Sequence, residues 1–350
     1  MKKYYTRVCN FYYGKNSKKL IQQKKTLPLK GNLEISFDKI EILTRKSSKT
    51  IHIKDIKNLS KNLKKKVNRD LKIITKKNKN FSNFNFNNNP NIMGILNLTP
   101  DSFSDGGRFN KRDSANKQII NLIKSGSNII DIGGESTRPG SNEINQKLEW
   151  KRIKTILIKF GKKFPLSLDS RKSEIIEKGI KKGVKLINDI SGLEHDKRTL
   201  MILKKDNIPF IIHHIQGTPK TMQLNPKYKN VVLDIYDYFE KKLLYLKKMG
   251  IRHNKIILDP GIGFGKNLKH NMKLLSNISI FHSLGFPVML GISRKRFIKD
   301  ISGKNDSKER IGGTMSATIF AISQGVEILR VHNVNEIIQG IKVYKKLINK

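Results

Sequence analysis

The chain has 350 residues and a formal net charge of +43, a length that exceeds one average domain and falls short of three. It contains no run of eighteen apolar residues, which excludes a membrane-spanning helix of ordinary length. Its basic start lacks the continuous apolar segment of a signal peptide. The single Cys9 cannot form an internal disulfide, and no Cys and His residues have zinc-site spacing. These features predict a cytoplasmic location.

The positive charge raises the question of a nucleic-acid or anionic membrane partner. Within residues 91–350 the lysines fall mostly on the polar faces of predicted helices, as at Lys241 and Lys242. Lys, Asn and Ile are all abundant, as an AT-rich genome would produce. We therefore interpret the charge mainly as genome composition, with a secondary effect of attracting anionic substrates. Nucleic-acid binding is the less favoured interpretation, and we expect no membrane partner.

The composition changes near residue 90. Residues 1–90 contain 24 Lys and Arg against 5 Asp and Glu, and they end in the low-complexity stretch FSNFNFNNNP, which is typical of a linker. The segments LEISFDKIEILTR and TIHIKDI alternate in polarity as strands do. We predict a small basic N-terminal extension of α+β character at 1–90, of unknown function, with an Asn-rich linker. Residues 91–350 are predicted to be the catalytic domain and to fold and act alone.

From residue 91 the chain alternates short apolar runs with stretches of helical apolar spacing. The eight apolar runs are 92–96, 129–132, 166–168, 186–187, 208–212, 256–258, 287–290 and 327–331. Eight strand–helix units in about 260 residues predict a (β/α)₈ TIM barrel. A doubly wound open sheet is the alternative, but it normally has fewer strands and a Gly-rich fingerprint after the first, which is absent here.

Nearly every predicted strand ends in polar residues, and active sites of such barrels lie at the carboxyl ends of the strands. One set could bind phosphate: Arg138, Lys295, Arg330 and His332. A second set has carboxylate and amide oxygens that suit the donor-rich edge of a heterocycle: Asp169, Asn188 and Asp259. His213 and His214 are adjacent on a strand and must point to opposite faces, so at least one of them is predicted to be structural.

These segments together resemble the dihydropteroate synthase family. The resemblance rests on MGILNLTPDSFSDGG, DIGGESTRPGS, LDSRK, INDISG, HHIQGTP, DPGIGFGK, GISRKRFI and GGTMSATIFAISQGVEILRVHNV. It implies a (β/α)₈ barrel, a homodimer, and condensation of 6-hydroxymethyl-7,8-dihydropterin diphosphate with 4-aminobenzoate in the presence of Mg²⁺. Ile215 stands where many members have Met, a swap between similar apolar volumes.

The resemblance also implies residue roles. Arg138, Lys295, Arg330 and His332 would act in catalysis. The pterin site would comprise Asp169, Asn188, Ile190, Ile215, Asp259, Phe264, Gly291, Lys295 and Arg330. The diphosphate would contact Asn97, Thr137, Arg138, Arg330 and His332, with Asn97 also holding Mg²⁺. Asp101, Phe103 and Pro139 would line the aminobenzoate pocket.

Two other functions stay open at this point. A pterin-dependent methyltransferase, moving a methyl group from methyltetrahydrofolate to a corrinoid, would share Asp169, Asn188 and Asp259 but has no use for a diphosphate site. The basic extension could instead bind nucleic acid, for which the aromatic residues among its first thirteen positions are a weak indication.

Overall fold

The computed structural model describes residues 3–80, 84–86, 90–99 and 111–349. Its N-terminal part is an antiparallel sheet with two helices. In chain order the elements are β1 (Tyr5–Tyr13), α1 (Gly14–Gln22), β2 (Leu27–Leu29), β3 (Asn32–Leu43), β4 (Ser48–His52) and α2 (Lys61–Thr75). Strand β3 pairs with β1, β2 and β4. The two segments with alternating polarity therefore form β3 and β4 as predicted, and the part has its own core around Val8, Phe37 and Val67.

The remaining described residues alternate strands with helices. The strands are β5 (Asn91–Asn97), β6 (Ile129–Gly133), β7 (Leu166–Asp169), β8 (Leu186–Asp189), β9 (Phe210–His213), β10 (Ile256–Asp259), β11 (Met289–Leu290) and β12 (Ile328–Val331). The helices are α3 (Lys111–Lys124), α4 (Gln146–Phe160), α5 (Ser173–Lys181), α6 (Arg198–Lys205), α7 (Val231–Lys248), α8 (Leu268–Ser276), α9 (Arg296–Ser302), α10 (Ile311–Ser323) and α11 (Val334–Ile348). No helix of the described residues is long and apolar enough to cross a membrane.

The eight strands form one parallel sheet in the order β10–β9–β8–β7–β6–β5–β12–β11. A bridge between Leu258 and Val288 joins its two ends, so the sheet is a nearly closed barrel. Every predicted apolar run overlaps one of these strands, and the (β/α)₈ prediction is confirmed. The runs are apolar on both faces because the strands are buried on both: in β9, Phe210 and Ile212 pack in the helix-facing core and Ile211 packs inside the barrel.

The amino end of the barrel is filled by aromatic residues of the preceding segment. Phe84 and Phe86 are 2% and 6% exposed. They pack with residues from the starts of the barrel strands, namely Met93, Ile129, Leu186, Ile211, Ile257, Met289 and Ile328. The prediction of an Asn-rich linker is therefore wrong at these two phenylalanines, because they are buried against the amino end of the barrel.

The extension also contacts the outside of the barrel. The ring of Tyr5 packs edge-on against Tyr236 of α7 with centroids 5.2 Å apart. The hydroxyl of Ser279 donates to the carbonyl of Val8 at 2.8 Å, and the hydroxyl of Tyr13 donates to the carbonyl of Ser323 at 3.0 Å. The extension thus covers one side and the amino end of the barrel, away from the carboxyl ends of the strands.

Candidate active site

Four side chains from four strands meet inside the carboxyl end of the barrel. Arg330 of β12 donates from Nε to Oδ2 of Asp131 at 2.6 Å and from Nη2 to Oδ2 of Asp169 at 2.8 Å. Asn188 of β8 donates from Nδ2 to the same Oδ2 of Asp131 at 2.9 Å. Three of these residues were predicted site residues, and the structure brings them together. The fourth, Asp131, was not among the predicted site residues.

Asp131 was missed because it lies inside an apolar strand rather than after it. The strand reads Ile-Ile-Asp-Ile-Gly, and alternation places Asp131 on the same face as Ile129, which lies inside the barrel. A charged residue on an inward face was the signal that could have identified it. Its Oδ1 and the Oδ1 of Asn188 have no hydrogen-bond partner among the described residues. Both are buried acceptors that a bound ligand could satisfy.

The electrostatics of this group are dominated by burial. Burial raises the pKa of Asp169 to about 8; the Arg330 guanidinium opposes this rise and the Asp131 carboxylate reinforces it. Burial acts to lower the pKa of Arg330, but Asp131 and Asp169 outweigh it and raise that pKa above its usual value. Arg330 is therefore always charged, and it is the shared hydrogen-bond donor to the buried side chains of Asp131 and Asp169.

A second cluster lies beside the first, at the ends of β10 and β11. Oδ1 of Asp259 accepts from the backbone N–H of Gly261 at 2.8 Å. Nζ of Lys295 lies 4.0 Å from the ring centroid of Phe264, within the range of a cation–π contact. Burial raises the pKa of Asp259 to about 6, and burial with the nearby Arg330 lowers the pKa of Lys295 to about 8. At neutral pH the first is mostly an anion and the second mostly a cation.

The two adjacent histidines point in opposite directions, as predicted. The ring of His213 packs edge-on against Phe264 with centroids 4.5 Å apart, and its Nε2 lies 3.9 Å from Oδ2 of Asp259. The ring of His214 packs against Tyr238 on the other side of the strand, with centroids 4.9 Å apart. Burial lowers the pKa of both histidines well below the usual value, so both are neutral.

The predicted diphosphate residues lie around the same opening. Nδ1 of His332 is 3.0 Å from Oγ of Ser293. Burial, with nearby cations such as Arg294 and Arg330, lowers the pKa of His332 to about 3, so this residue offers a neutral ring rather than a charge. Arg138 is exposed and Thr137 is half-buried, both in the loop after β6.

Asn97 ends β5 next to Gly133. A Cβ atom at Gly133 would lie 3.6 Å from Oδ1 of Asn97 and 3.5 Å from Cβ of Asp169, so glycine lies between these two predicted site residues. Pro139 is exposed in the loop after β6, and the next residue, Gly140, donates its N–H to the carbonyl of Pro219 at 2.9 Å. Asp101 and Phe103 lie outside the described residues.

The apolar part of the predicted pterin site is also assembled. Ile190, Met222 and Phe264 form a buried cluster, and the half-buried Ile215 packs against it. Met222 comes from the irregular segment between β9 and α7, where no periodic pattern marks a site residue. A Cβ atom at Gly291 would have no heavy atom within 4 Å, so Gly291 faces open space.

An ion-pair network that the sequence analysis missed supports the loop after β6. Glu135 pairs with Lys172, and Nη2 of Arg171 lies 2.9 Å from Oε1 of Glu135. Nζ of Lys172 also lies 2.7 Å from Oε2 of Glu149 on α4. Burial acts to raise the pKa of Glu135, but the hydrogen bond from Lys172 and the other donors outweigh it and lower that pKa. The network anchors the start of the loop that carries Thr137 and Arg138.

The chain is similar in sequence to known proteins. The family described as pterin binding enzyme matches residues 93–332. The chain is 40% identical over 256 residues to the dihydropteroate synthase of Escherichia coli strain K12, which covers 73% of this chain and 90% of that enzyme.

Solved structures of dihydropteroate synthases have a similar fold. The dihydropteroate synthase of Clostridium difficile, in the presence of pteroic acid, is 35% identical with a TM-score of 0.70, covering 76% of this chain and 100% of that chain. The Xanthomonas albilineans enzyme in complex with 7,8-dihydropteroate is 29% identical with a TM-score of 0.67, covering 74% of this chain and 93% of that chain. The chain therefore belongs to the dihydropteroate synthase family of pterin-binding enzymes.

Proposed function

We propose that this chain condenses 6-hydroxymethyl-7,8-dihydropterin diphosphate with 4-aminobenzoate, giving 7,8-dihydropteroate and pyrophosphate in folate biosynthesis. The observation that carries the proposal is the group of Asp131, Asp169, Asn188 and Arg330, where buried carboxylate and amide oxygens lack partners among the described residues. The N–H groups of a pterin ring would satisfy these acceptors. Membership of the family supports the same reaction, since the relatives are named for it.

The reaction breaks the carbon–oxygen bond between the pterin methylene group and the diphosphate. The nitrogen of aminobenzoate then bonds to the methylene carbon and loses a proton. Positive charge develops on the pterin while negative charge develops on the leaving group. Asp259, which is mostly an anion at neutral pH, and the hydrogen-bonding oxygens of Asp169 would stabilise the first charge, and Arg138 and Arg330 the second, because fixed charges and dipoles aimed at developing charges lower a barrier without reorganisation.

His332 and Lys295 would not both act as cations that bind the diphosphate. Because His332 is neutral, it would donate or accept a hydrogen bond at the diphosphate and would not neutralise charge. Lys295 lies against Phe264, and the charges of Asp259 and Arg330 both act on its pKa. We propose that it contacts the pterin where the two substrates meet.

Mg²⁺ fits the donor set of this site. Asn97 offers an amide oxygen beside Gly133, and oxygen is the ligand that Mg²⁺ prefers. Among the described residues no three His, Cys, Asp or Glu side chains form a metal cage. Mg²⁺ usually keeps several waters and binds through one or two protein groups plus substrate phosphates. We propose that Asn97 and Thr137 would hold a magnesium–diphosphate unit, and that the metal, when bound, would neutralise charge on the leaving group.

We also propose that the chain forms a homodimer. Phe320 of α10 is 42% exposed and Ile301 of α9 is 60% exposed, and half-buried Met315 and Ile319 lie on α10 as well. Large apolar side chains exposed on neighbouring helices commonly mark an interface. Sedimentation of the wild type and of Phe320→Glu tests this: the variant should be monomeric. A cytoplasmic location stays a prediction.

A pyrophosphate-release assay with both substrates tests the function. Release should require both substrates, and the product should carry the pterin joined to aminobenzoate. In the same assay, Arg330→Ala should lower kcat/KM. Its matched control is Arg252→Ala, since Arg252 is exposed before β10 at the opposite end of the barrel. Release without aminobenzoate, or methyl transfer from methyltetrahydrofolate to a corrinoid, would contradict the proposal.

A further inference from the structure

Lys266 has a buried ammonium that the proposed reaction does not use. The residue is 2% exposed and lies just before α8. Its Nζ donates to the carbonyl of Phe264 at 2.8 Å and to the carbonyl of Gly261 at 2.9 Å, and it lies 3.1 Å from Nδ1 of His214. Among the described residues, no carboxylate forms an ion pair with it. Burial lowers the pKa of Lys266 to about 7, so near neutral pH its Nζ is an ammonium only part of the time. In either form it is a buried hydrogen-bond donor held by neutral acceptors, and burying it costs free energy.

The acceptors belong to one tight loop. Residues 260–266 follow β10, and Gly261, Gly263 and Gly265 all have positive φ angles, of 71°, 81° and 60°. A Cβ atom at Gly261 would lie 2.0 Å from the carbonyl oxygen of His214, so the loop is pressed against the end of β9. The loop carbonyls converge on Nζ of Lys266, which thereby joins the loop to His214.

The same loop carries groups of the proposed pterin site. The N–H of Gly261 donates to Asp259 at 2.8 Å, and the ring of Phe264 lies 4.0 Å from Nζ of Lys295. Lys266 holds the carbonyls of these same two loop residues. Its ammonium therefore acts on the orientation of Asp259 and Phe264 without lying in the pocket itself.

We propose that Lys266 is a positioning residue for the pterin site, whose buried ammonium holds the loop after β10 so that Asp259 and Phe264 face the pterin. The inference rests on the proposed function only in naming the ligand. It predicts that loss of the ammonium impairs pterin binding selectively. The aminobenzoate residues proposed above belong to other loops, so binding of that substrate should change little.

The test uses the full chain with Lys266→Ala and Lys266→Met. Both variants should raise the KM for the pterin diphosphate and the Kd for pteroic acid roughly tenfold, the size of a lost charged hydrogen bond. The KM for aminobenzoate should stay within about twofold, and kcat should change less than the pterin KM, because Lys266 does not touch the reacting atoms. Lys255→Met, at the half-buried residue before β10 on the opposite barrel face, is the control.

Chemical rescue separates positioning from general stability. Propylammonium supplies the atoms that Lys266→Ala lacks beyond Cβ, so it should restore pterin affinity saturably. Tetramethylammonium has the same charge but no N–H donor, and it should not. Unchanged pterin Kd in folded variants would overturn the proposal. So would a parallel loss of both substrate affinities with a lowered melting temperature and no rescue.

A third variant and a binding measurement that needs no turnover complete the test. If neither variant folds, Lys266→Gln retains two N–H donors and should show an intermediate pterin Kd; a Kd equal to that of the wild type would then overturn the proposal. Calorimetry with pteroic acid does not depend on turnover. A wild type that binds pteroic acid but releases no pyrophosphate would therefore contradict the proposed function while leaving the Lys266 measurement interpretable.

Discussion

Arg330→Ala should damage both stability and catalysis, since the guanidinium is the shared partner of two buried carboxylates. Removing one partner of a buried ion pair typically costs about 3–5 kcal/mol of unfolding free energy. In catalysis, the loss of a donor aimed at the leaving group should cost about 2–4 kcal/mol in kcat/KM by analogy with oxyanion donors, or about 30- to 1000-fold. The exposed-site control Arg252→Ala should change neither quantity.

The stability loss should also depend on pH, with a definite sign. An acid whose pKa is higher in the folded protein than in the unfolded chain binds the extra proton when folded, so the free energy of unfolding falls as pH rises between the two values. The folded pKa of Asp169 is raised to about 8, and Arg330 holds it below the value that burial alone would give. Without Arg330 this pKa rises further, so the difference from wild type should grow above pH 8.

Urea unfolding at pH 7 and pH 9 measures this growth. Asp169→Asn in the Arg330→Ala background removes the titrating group and should abolish the increase between the two pH values. A destabilisation below about 1 kcal/mol would contradict the ion-pair argument, since the expected cost is several times larger. An equal destabilisation at both pH values would contradict the assignment of the pH effect to Asp169.

The other expected outcomes concern the pterin, the diphosphate and the extension. Asp259→Asn should weaken pteroic acid binding by about 1.5–3 kcal/mol. Because the pKa of Asp259 is raised to about 6, the affinity of the wild type in calorimetry should fall as pH drops through 6, while that of the variant should not. Asp169→Asn should weaken binding and also lower stability, since Asp169 pairs with Arg330. His332→Ala should reduce kcat/KM by a factor that stays constant from pH 5 to 8 in a pH–rate profile, because His332, with a pKa lowered to about 3, is neutral throughout; a loss confined to low pH would show a protonated role. Phe86→Ala should cost about 3–5 kcal/mol in urea unfolding. The sequence pattern predicts that residues 91–350 fold and act alone, but the burial of Phe84 and Phe86 leads us to expect no cooperative melt for that fragment, so a stable and active truncated protein would refute the packing argument.

The barrel could be predicted from the sequence because each strand is buried on both faces. Such strands appear as short continuous apolar runs between amphipathic helices, and the run 208–212 overlaps β9 (Phe210–His213). Position at a strand end also identified Asp169, Asn188 and Asp259. The direction in which a side chain points within a strand was harder to infer. Asp131 was missed because it interrupts an apolar run, although it lies on the inward face of β6, at the centre of the cluster.

Other site features had no local signal. Met222 joins the buried cluster of Ile190 and Phe264 from an irregular segment, and the pairing of Glu135 with Lys172 joins residues 37 positions apart. Such contacts depend on how two loops meet after the barrel closes. The neutral state of His332 likewise depends on burial and on surrounding cations. A sequence shows that a histidine follows a strand, but its charge follows from the three-dimensional environment.

The composition of the extension did not predict its contacts with the barrel. In the stretch FSNFNFNNNP the asparagines suggest a solvated linker, yet Phe84 and Phe86 are two residues apart, so an extended backbone points both rings to one side. The amino end of the barrel accepts that side. Nearby, Asn78 donates to Oε1 of Glu327 at 2.7 Å, and Oε2 of Glu327 accepts from the N–H of Val288 at 2.8 Å. This contact lies at the start of β12, the strand whose other end carries Arg330. The extension therefore acts on the end of the barrel opposite the site, and its effect on the reaction should pass through the stability of the strands.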